Sequence, residues 1–228
     1  MSDPIEPAPS HTRPNQPGPN HPEPIRPAIL LDVDGPLNPF ADCDRPRAAT
    51  YRSHLLRPKI FPDRPAENRT VWLDPGHGAL LLDLAAATGA DLVWATLWED
   101  EANRLLAAPL GLPELDVIRF AGTAFQHSDG HHAKIRGIDS WAGGRPLVWF
   151  DDQFQPRDAG WARDRSARTA PTRLIPIDPT IGLTRADVDG ARDFLLASRR
   201  TAALSGHGES ADRGDFDECA VDEASARP

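Results

Sequence analysis

An apolar run, Ala28-Ile29-Leu30-Leu31, leads directly into Asp32-Val33-Asp34-Gly35. Two carboxylates two residues apart, where a strand gives way to a loop, can take different jobs. The strand-end Asp32 can face a site while the turn lets Asp34 reach in from the side, and Gly35 permits a sharp exit from the strand. A second apolar run ends in Ala95-Thr96, whose hydroxyl can donate to a phosphoryl oxygen. A later run ends in Phe150-Asp151-Asp152. Adjacent acids after a buried strand repel each other unless a cation binds or water reaches them, and a hard divalent ion such as magnesium takes oxygen ligands of this type. Lys134 precedes the acid pair and can neutralise phosphate and carboxylate charge. Singly, these residues also read as an acidic turn, a helix cap and a solvated lysine. The first motif has some look of a calcium loop, but the third ligand position and the closing Glu are missing.

The elements that must hold these residues are legible as alternating runs. Strands are expected over 28–33, 91–96, 117–120, 146–151 and 173–177. Helices are expected between them. Asp74-Pro75 offers an N-cap and first-turn proline for a helix closed by Gly89. Others are expected over 99–108 and 131–141, and Thr184 with Asp187 forms a capping box for a last helix reaching about Arg200. Strands that are apolar throughout and separated by helices indicate an α/β fold, a parallel sheet covered on both faces. Ligands in such sheets bind beyond the carboxyl ends of the strands, where Asp32, Thr96 and Asp151 fall. Trp98 and Asn103 lie just beyond Thr96 and are candidate pocket residues, with packing against the sheet the alternative for Trp98. His77, His131 and His132 are candidate substrate contacts without the spacing of a zinc site. Asp158 reads as a further metal ligand or, beside Arg157 and Arg163, as a surface ion pair.

Taken in order, Asp32/Asp34, Thr96, Lys134 and Asp151/Asp152 resemble the four motifs of the haloacid dehalogenase (HAD) superfamily. The likeness covers roughly residues 28–180, and 32–40, 94–98 and 149–154 resemble an actinobacterial-type branch with little or no cap. Response-regulator receivers use similar residues in a different order. The resemblance implies a Rossmann-like parallel sheet of about five strands, in the order 5-4-1-2-3 when these five are numbered along the chain, with helices on both faces. It also implies roles. Asp32 is the nucleophile that forms an aspartyl-phosphate, and Asp34 protonates the leaving oxygen and then accepts a proton from water. Thr96 and Lys134 stabilise the transferring phosphoryl oxygens. Mg2+ is held by Asp32, the backbone carbonyl of Asp34 and Asp151, with or without Asp152. Because the superfamily's dehalogenases lack the second acid, Asp34 favours a phosphohydrolase. Pro36 stands where the family more often has Thr or Val, a departure expected to alter the turn and not the chemistry.

The remaining sequence bounds the substrate. No room for a cap exists between Lys134 and Asp151, and residues 37–71, rich in Arg and Pro, suffice for a flap or hairpin but are small for a domain. A nearly capless enzyme resembles members that act on macromolecules or large exposed phosphates. The expected partner is a phosphorylated small molecule or an exposed phosphate on a macromolecule, with Arg45, Arg47, Arg52 and Arg57 available to a phosphorylated polymer. A polynucleotide-end phosphatase and a non-catalytic binding module are the alternatives. The net charge of −9 argues against a nucleic-acid module, which usually shows a basic face. Proline-rich residues 1–27 and acidic residues 201–228 read as disordered tails flanking a catalytic domain over 28–200. Cys43 and Cys219 make a poor disulfide framework. With no apolar run near the ~20 residues of a membrane span and no signal pattern, a cytoplasmic location is expected.

Overall fold

The computed structural model describes residues 25–40, 47–61, 63–120 and 130–206. At its centre lies β1 (Ala28–Leu31), four apolar residues buried on both faces. It is flanked by β4 (Asp91–Trp94) on one side and β6 (Leu147–Asp151) on the other, both parallel to it. β5 (Asp116–Val117) extends the sheet beyond β4, and β7 (Thr172–Pro176) extends it beyond β6. The order is β5-β4-β1-β6-β7. These are the five strands expected from the apolar runs, in the expected order. The third is shorter than expected and lies slightly earlier, because only Val93 and Trp94 of its neighbour offer it partners.

Side-chain alternation along the strands builds two cores. Ile29, Leu31, Leu92, Trp94, Val148 and Phe150 point to one face. They meet α1 (Pro75–Thr88) through Leu81 and Leu84, and α6 (Arg185–Gly206) through Val188, Ala191 and Leu195. Leu30, Val93, Leu147 and Trp149 point the other way, onto Ile135 and Ile138 of α4 (Ile135–Ala142) and Trp161 of α5 (Asp158–Arg168). Each buried aliphatic or aromatic side chain contributes about 1.5–3 kcal/mol by leaving water, so the site residues stand on a rigid support.

Local signals fix where the helices start. Asp74 accepts the Gly76 N–H at 2.8 Å, Pro75 opens α1, and Gly89 closes it in the left-handed conformation. Thr184 and Asp187 exchange hydrogen bonds ahead of α6, which runs on to Gly206. Gly78 lets α1 approach the chain at Leu110 so closely that a Cβ would sit 1.7 Å from the Leu110 carbonyl oxygen. The helical path after β4 runs through α2 (Asp100–Ala102), a π-helical turn (Asn103–Ala107) and α3 (Ala108–Leu110).

Residues 37–71 contribute a single antiparallel hairpin, β2 (Arg52–Leu56) with β3 (Arg69–Leu73), and no second domain among the described residues. Cys43, Cys219, Arg45 and most of the two expected tails lie outside those residues. No helix is long and apolar enough to cross a membrane among the residues described.

Candidate active site

Asp32 follows β1 at the middle of the sheet's carboxyl edge, where its backbone N–H donates to the Phe150 carbonyl of β6. The residue is only 7% exposed. Lys134, 4% exposed, places Nζ 2.9 Å from Asp32 Oδ2 and 2.9 Å from Asp151 Oδ2. One ammonium thus joins carboxylates from two neighbouring strands. Thr96 follows β4 on the other side, almost fully buried, and its hydroxyl oxygen accepts the Trp98 N–H at 3.4 Å.

Lys134 stands at the start of a helix, as expected, at the N-cap of α4, which begins at Ile135, later than the 131 expected for the helix. Backbone groups just before it are committed elsewhere. The His132 N–H donates to Asp158 Oδ1 at 2.9 Å, and the Lys134 N–H donates to Nδ1 of the His132 ring at 3.1 Å. Since Nδ1 accepts there, the ring's proton sits on Nε2, 3.3 Å from Asp151 Oδ1. Asp151 is therefore gripped on both oxygens, by His132 and by Lys134. His132 is buried and packs edge-on against Trp149 and Phe154, so it is not placed as a substrate contact, whereas His131 lies beside Asp158 and opens onto the surface along α5. Asp158 is fully buried and also accepts the Gln155 N–H at 2.6 Å, so it is an internal anchor of the lysine loop and not a surface ion pair.

Asp152 has a different environment. Its Oδ1 is buried and accepts no hydrogen bond. The carboxylate lies against Gly35, whose φ is +93° and where an added Cβ would be 2.5 Å from the Asp152 Cγ. Glycine is required there twice over, for the backbone angle and for the close approach. Carboxylate oxygens of Asp32, Asp151 and Asp152 all come within 4.8 Å of one another. Three converging acids with one oxygen left unsatisfied suit a hard divalent cation. Among the described residues this is the one group of metal-ligating side chains that converges in this way. The Asp34 carboxylate is not among the three that converge, and its expected contribution to a metal is its backbone carbonyl.

Electrostatics follow from the geometry. Burial pushes the Asp32 carboxyl up to about 7, against the pull of Lys134. Burial, with Asp151 next to it, pushes Asp152 up to about 6. Burial opposes the charge of Asp151 as well, but Lys134 and His132 more than reverse it and hold that carboxyl well below the usual range. Burial likewise opposes the charge on Lys134, yet Asp32 and Asp151 together raise its pKa. The protein thus carries one firmly ionised pair, Lys134 with Asp151, and two carboxyls whose ionisation a cation would favour.

Asp34 lies half-buried just past Asp32. Its Oδ1 accepts Nδ2 of Asn38 at 2.8 Å and its Oδ2 accepts Nε1 of Trp98 at 3.0 Å. Trp98 is 2% exposed, so this expected pocket residue faces the acid and the core. Asn103 turns inward too. Its oxygen accepts from Trp94 Nε1 and the Leu115 N–H, and its amide donates to the Leu115 carbonyl. The structure does not bring Asn103 to the carboxylates; it ties the π-helical turn to β4 and to the loop before β5.

Pro36 serves the turn: its carbonyl accepts the Leu183 N–H at 2.8 Å. Arg47 donates to the Pro39 carbonyl and lies over the Trp72 ring, while Arg52 and Arg57 are exposed on the hairpin. A surface concavity of about 740 Å³ runs along α5, lined by His131, Arg157, Trp161, Arg163 and Arg168 among others, and contains none of the carboxylates above.

A family model described as the HAD domain in Swiss Army Knife RNA repair proteins matches residues 28–188. No curated protein and no solved structure gave a match.

Proposed function

The chain belongs to the haloacid dehalogenase superfamily, in the family of HAD domains described from Swiss Army Knife RNA repair proteins, and on that premise we propose that it is a magnesium-dependent phosphatase of phosphomonoesters. The observation that carries this reading is the junction of Asp32 with Lys134 and Asp151 at the sheet's carboxyl edge, beside the unsatisfied Asp152.

Asp32 attacks phosphorus in line, and an acyl-phosphate bond forms as the bond to the leaving oxygen breaks. Dividing one difficult displacement into two easier ones is the purpose of such an intermediate. Asp34 gives a proton to the leaving oxygen and regains one from the water that hydrolyses the aspartyl-phosphate, so its proton account closes over the cycle. Lys134 and Thr96 lie on either side of Asp32 and offer an ammonium and a hydroxyl to the phosphoryl oxygens. Mg2+, when bound by Asp32, Asp152, Asp151 and the Asp34 carbonyl, supplies charge neutralisation between nucleophile and phosphate. His132 contributes by fixing Asp151, and through it the lysine.

The family description favours a second, narrower reading, a phosphatase of polynucleotide ends. Exposed arginines on the hairpin and along α5 support it, and the overall acidity opposes it. Retention on a polyanion matrix that falls steeply with salt is the outcome it requires. A non-catalytic role has less support, since a binding module has no chemical need for Asp34.

The test is hydrolysis of p-nitrophenyl phosphate with and without Mg2+. The native protein should turn over only with the metal, and Asp32→Asn should lose at least about 10³-fold. Undiminished turnover by Asp32→Asn would remove Asp32 as nucleophile.

A further inference from the structure

The proton-transfer residue Asp34 is held by two donors whose identities are chemically fixed. The Trp98 indole N–H can only donate. The Asn38 side chain has no freedom either, because its Oδ1 accepts the Trp72 N–H of β3 at 2.9 Å. A backbone N–H requires an oxygen opposite it, which leaves Nδ2 of Asn38 facing Asp34. Asn38 itself is fixed by the turn: its N–H donates to the Val33 carbonyl at 2.9 Å and its carbonyl accepts the Gly35 N–H at 3.0 Å. Each Asp34 oxygen thus spends one lone pair on a fixed donor and keeps another for a proton.

We propose that Asn38 and Trp98 are positioning residues for proton transfer, which aim Asp34 at the leaving-group oxygen, and that Asn38 ties this aim to the docking of the β2–β3 hairpin. The inference rests on the phosphatase reading for its kinetic consequence, though the contacts themselves are independent of it. Three elements meet in the clamp: the turn after β1, the segment after β4 and the hairpin. Trp98 is anchored in the core, so it supplies a fixed direction. Asn38 transmits the register of β3, through the Trp72 N–H, to the acid. A hairpin displaced from this register would leave Asn38 without its acceptor contact and Asp34 with a single donor.

Leaving-group dependence separates positioning of the acid from general damage. A nitrophenolate departs as an anion and gains little from protonation, whereas an alkoxide needs the proton. General acid catalysis contributes about 10²–10⁴-fold where it is needed. In Asn38→Leu and Trp98→Phe, each of which removes a donor to Asp34, kcat for β-glycerol phosphate should fall at least about tenfold more than kcat for p-nitrophenyl phosphate. KM for both should stay within about threefold of the native protein. Equal losses on the two esters, or none on either, would overturn the proposal. A second measurement needs no turnover. Amide exchange at Trp72 should quicken at least about tenfold in Asn38→Leu, and the Trp98 indole N–H resonance should shift in Asp34→Ala. If the native protein hydrolyses neither ester, the phosphatase reading fails, and unchanged exchange at Trp72 with an unmoved indole resonance would then overturn the clamp.

Discussion

At the level of single residues, the site rests on charge partition among four carboxylates and one lysine. Asp32 and Asp152 have pKa values raised to about 7 and about 6, above their unfolded value of 3.8. A raised carboxyl favours folding at low pH, and that contribution is lost as pH climbs through the folded pKa. Metal-free protein should therefore lose thermal stability between about pH 5.5 and pH 8 through these two groups. Mg2+ binds their ionised forms, so the gain in thermal midpoint at a fixed Mg2+ concentration should be larger at pH 8 than at pH 5.5. A smaller gain at pH 8 would mean these carboxylates do not hold the ion. The acids, Thr96 and Lys134 were legible because their types are chemically specific and each falls next to an apolar run. His132 and Asn38 were not, because their roles arise only from contacts across the fold: His132 meets Asp151 19 positions along the chain, and Asn38 meets Trp72 at 34.

Elements were legible in proportion to their burial. The sheet strands are apolar on both faces, and such runs announce themselves without regard to period. The hairpin strands are only partly buried, with arginine at the start of each, and carry no such signal. α5 carries little sequence signal because its only large apolar residue is Trp161 and its charges are spread round the helix. Its value lies at its first residue, Asp158, whose buried carboxylate organises the loop that delivers Lys134. The turn after β1 carries the sharpest prediction at this scale. Gly35→Ala adds a methyl against Asp152 in a backbone conformation that costs a non-glycine residue about 1–3 kcal/mol. It should lower the thermal midpoint and weaken Mg2+ binding at least about tenfold, which isothermal titration would register. Native metal affinity in Gly35→Ala would show that Asp152 is not a ligand.

For the molecule as a whole, one α/β unit accounts for the contacts that build the site, and among the described residues the β2–β3 hairpin is its one elaboration over the sheet's carboxyl edge. We expect a chain trimmed to residues 25–206 to keep native kcat, with its thermal midpoint within about 3 °C of the full chain, a change under about 1 kcal/mol. A large drop would assign the terminal segments a part in the catalytic unit. An open edge with so small a cover also suits phosphates carried on large molecules, as the narrower reading requires. The proposed chemistry depends above all on a covalent bond to one oxygen of Asp32. Acid-quenching the protein with Mg2+ and p-nitrophenyl phosphate, using Asp34→Asn to slow hydrolysis of the intermediate, and mapping the product by peptide mass spectrometry tests this most directly. One phosphoryl group should appear on the peptide containing Asp32 and be removed by hydroxylamine. Turnover by the native protein with no such adduct, or with phosphate on another residue, would contradict it.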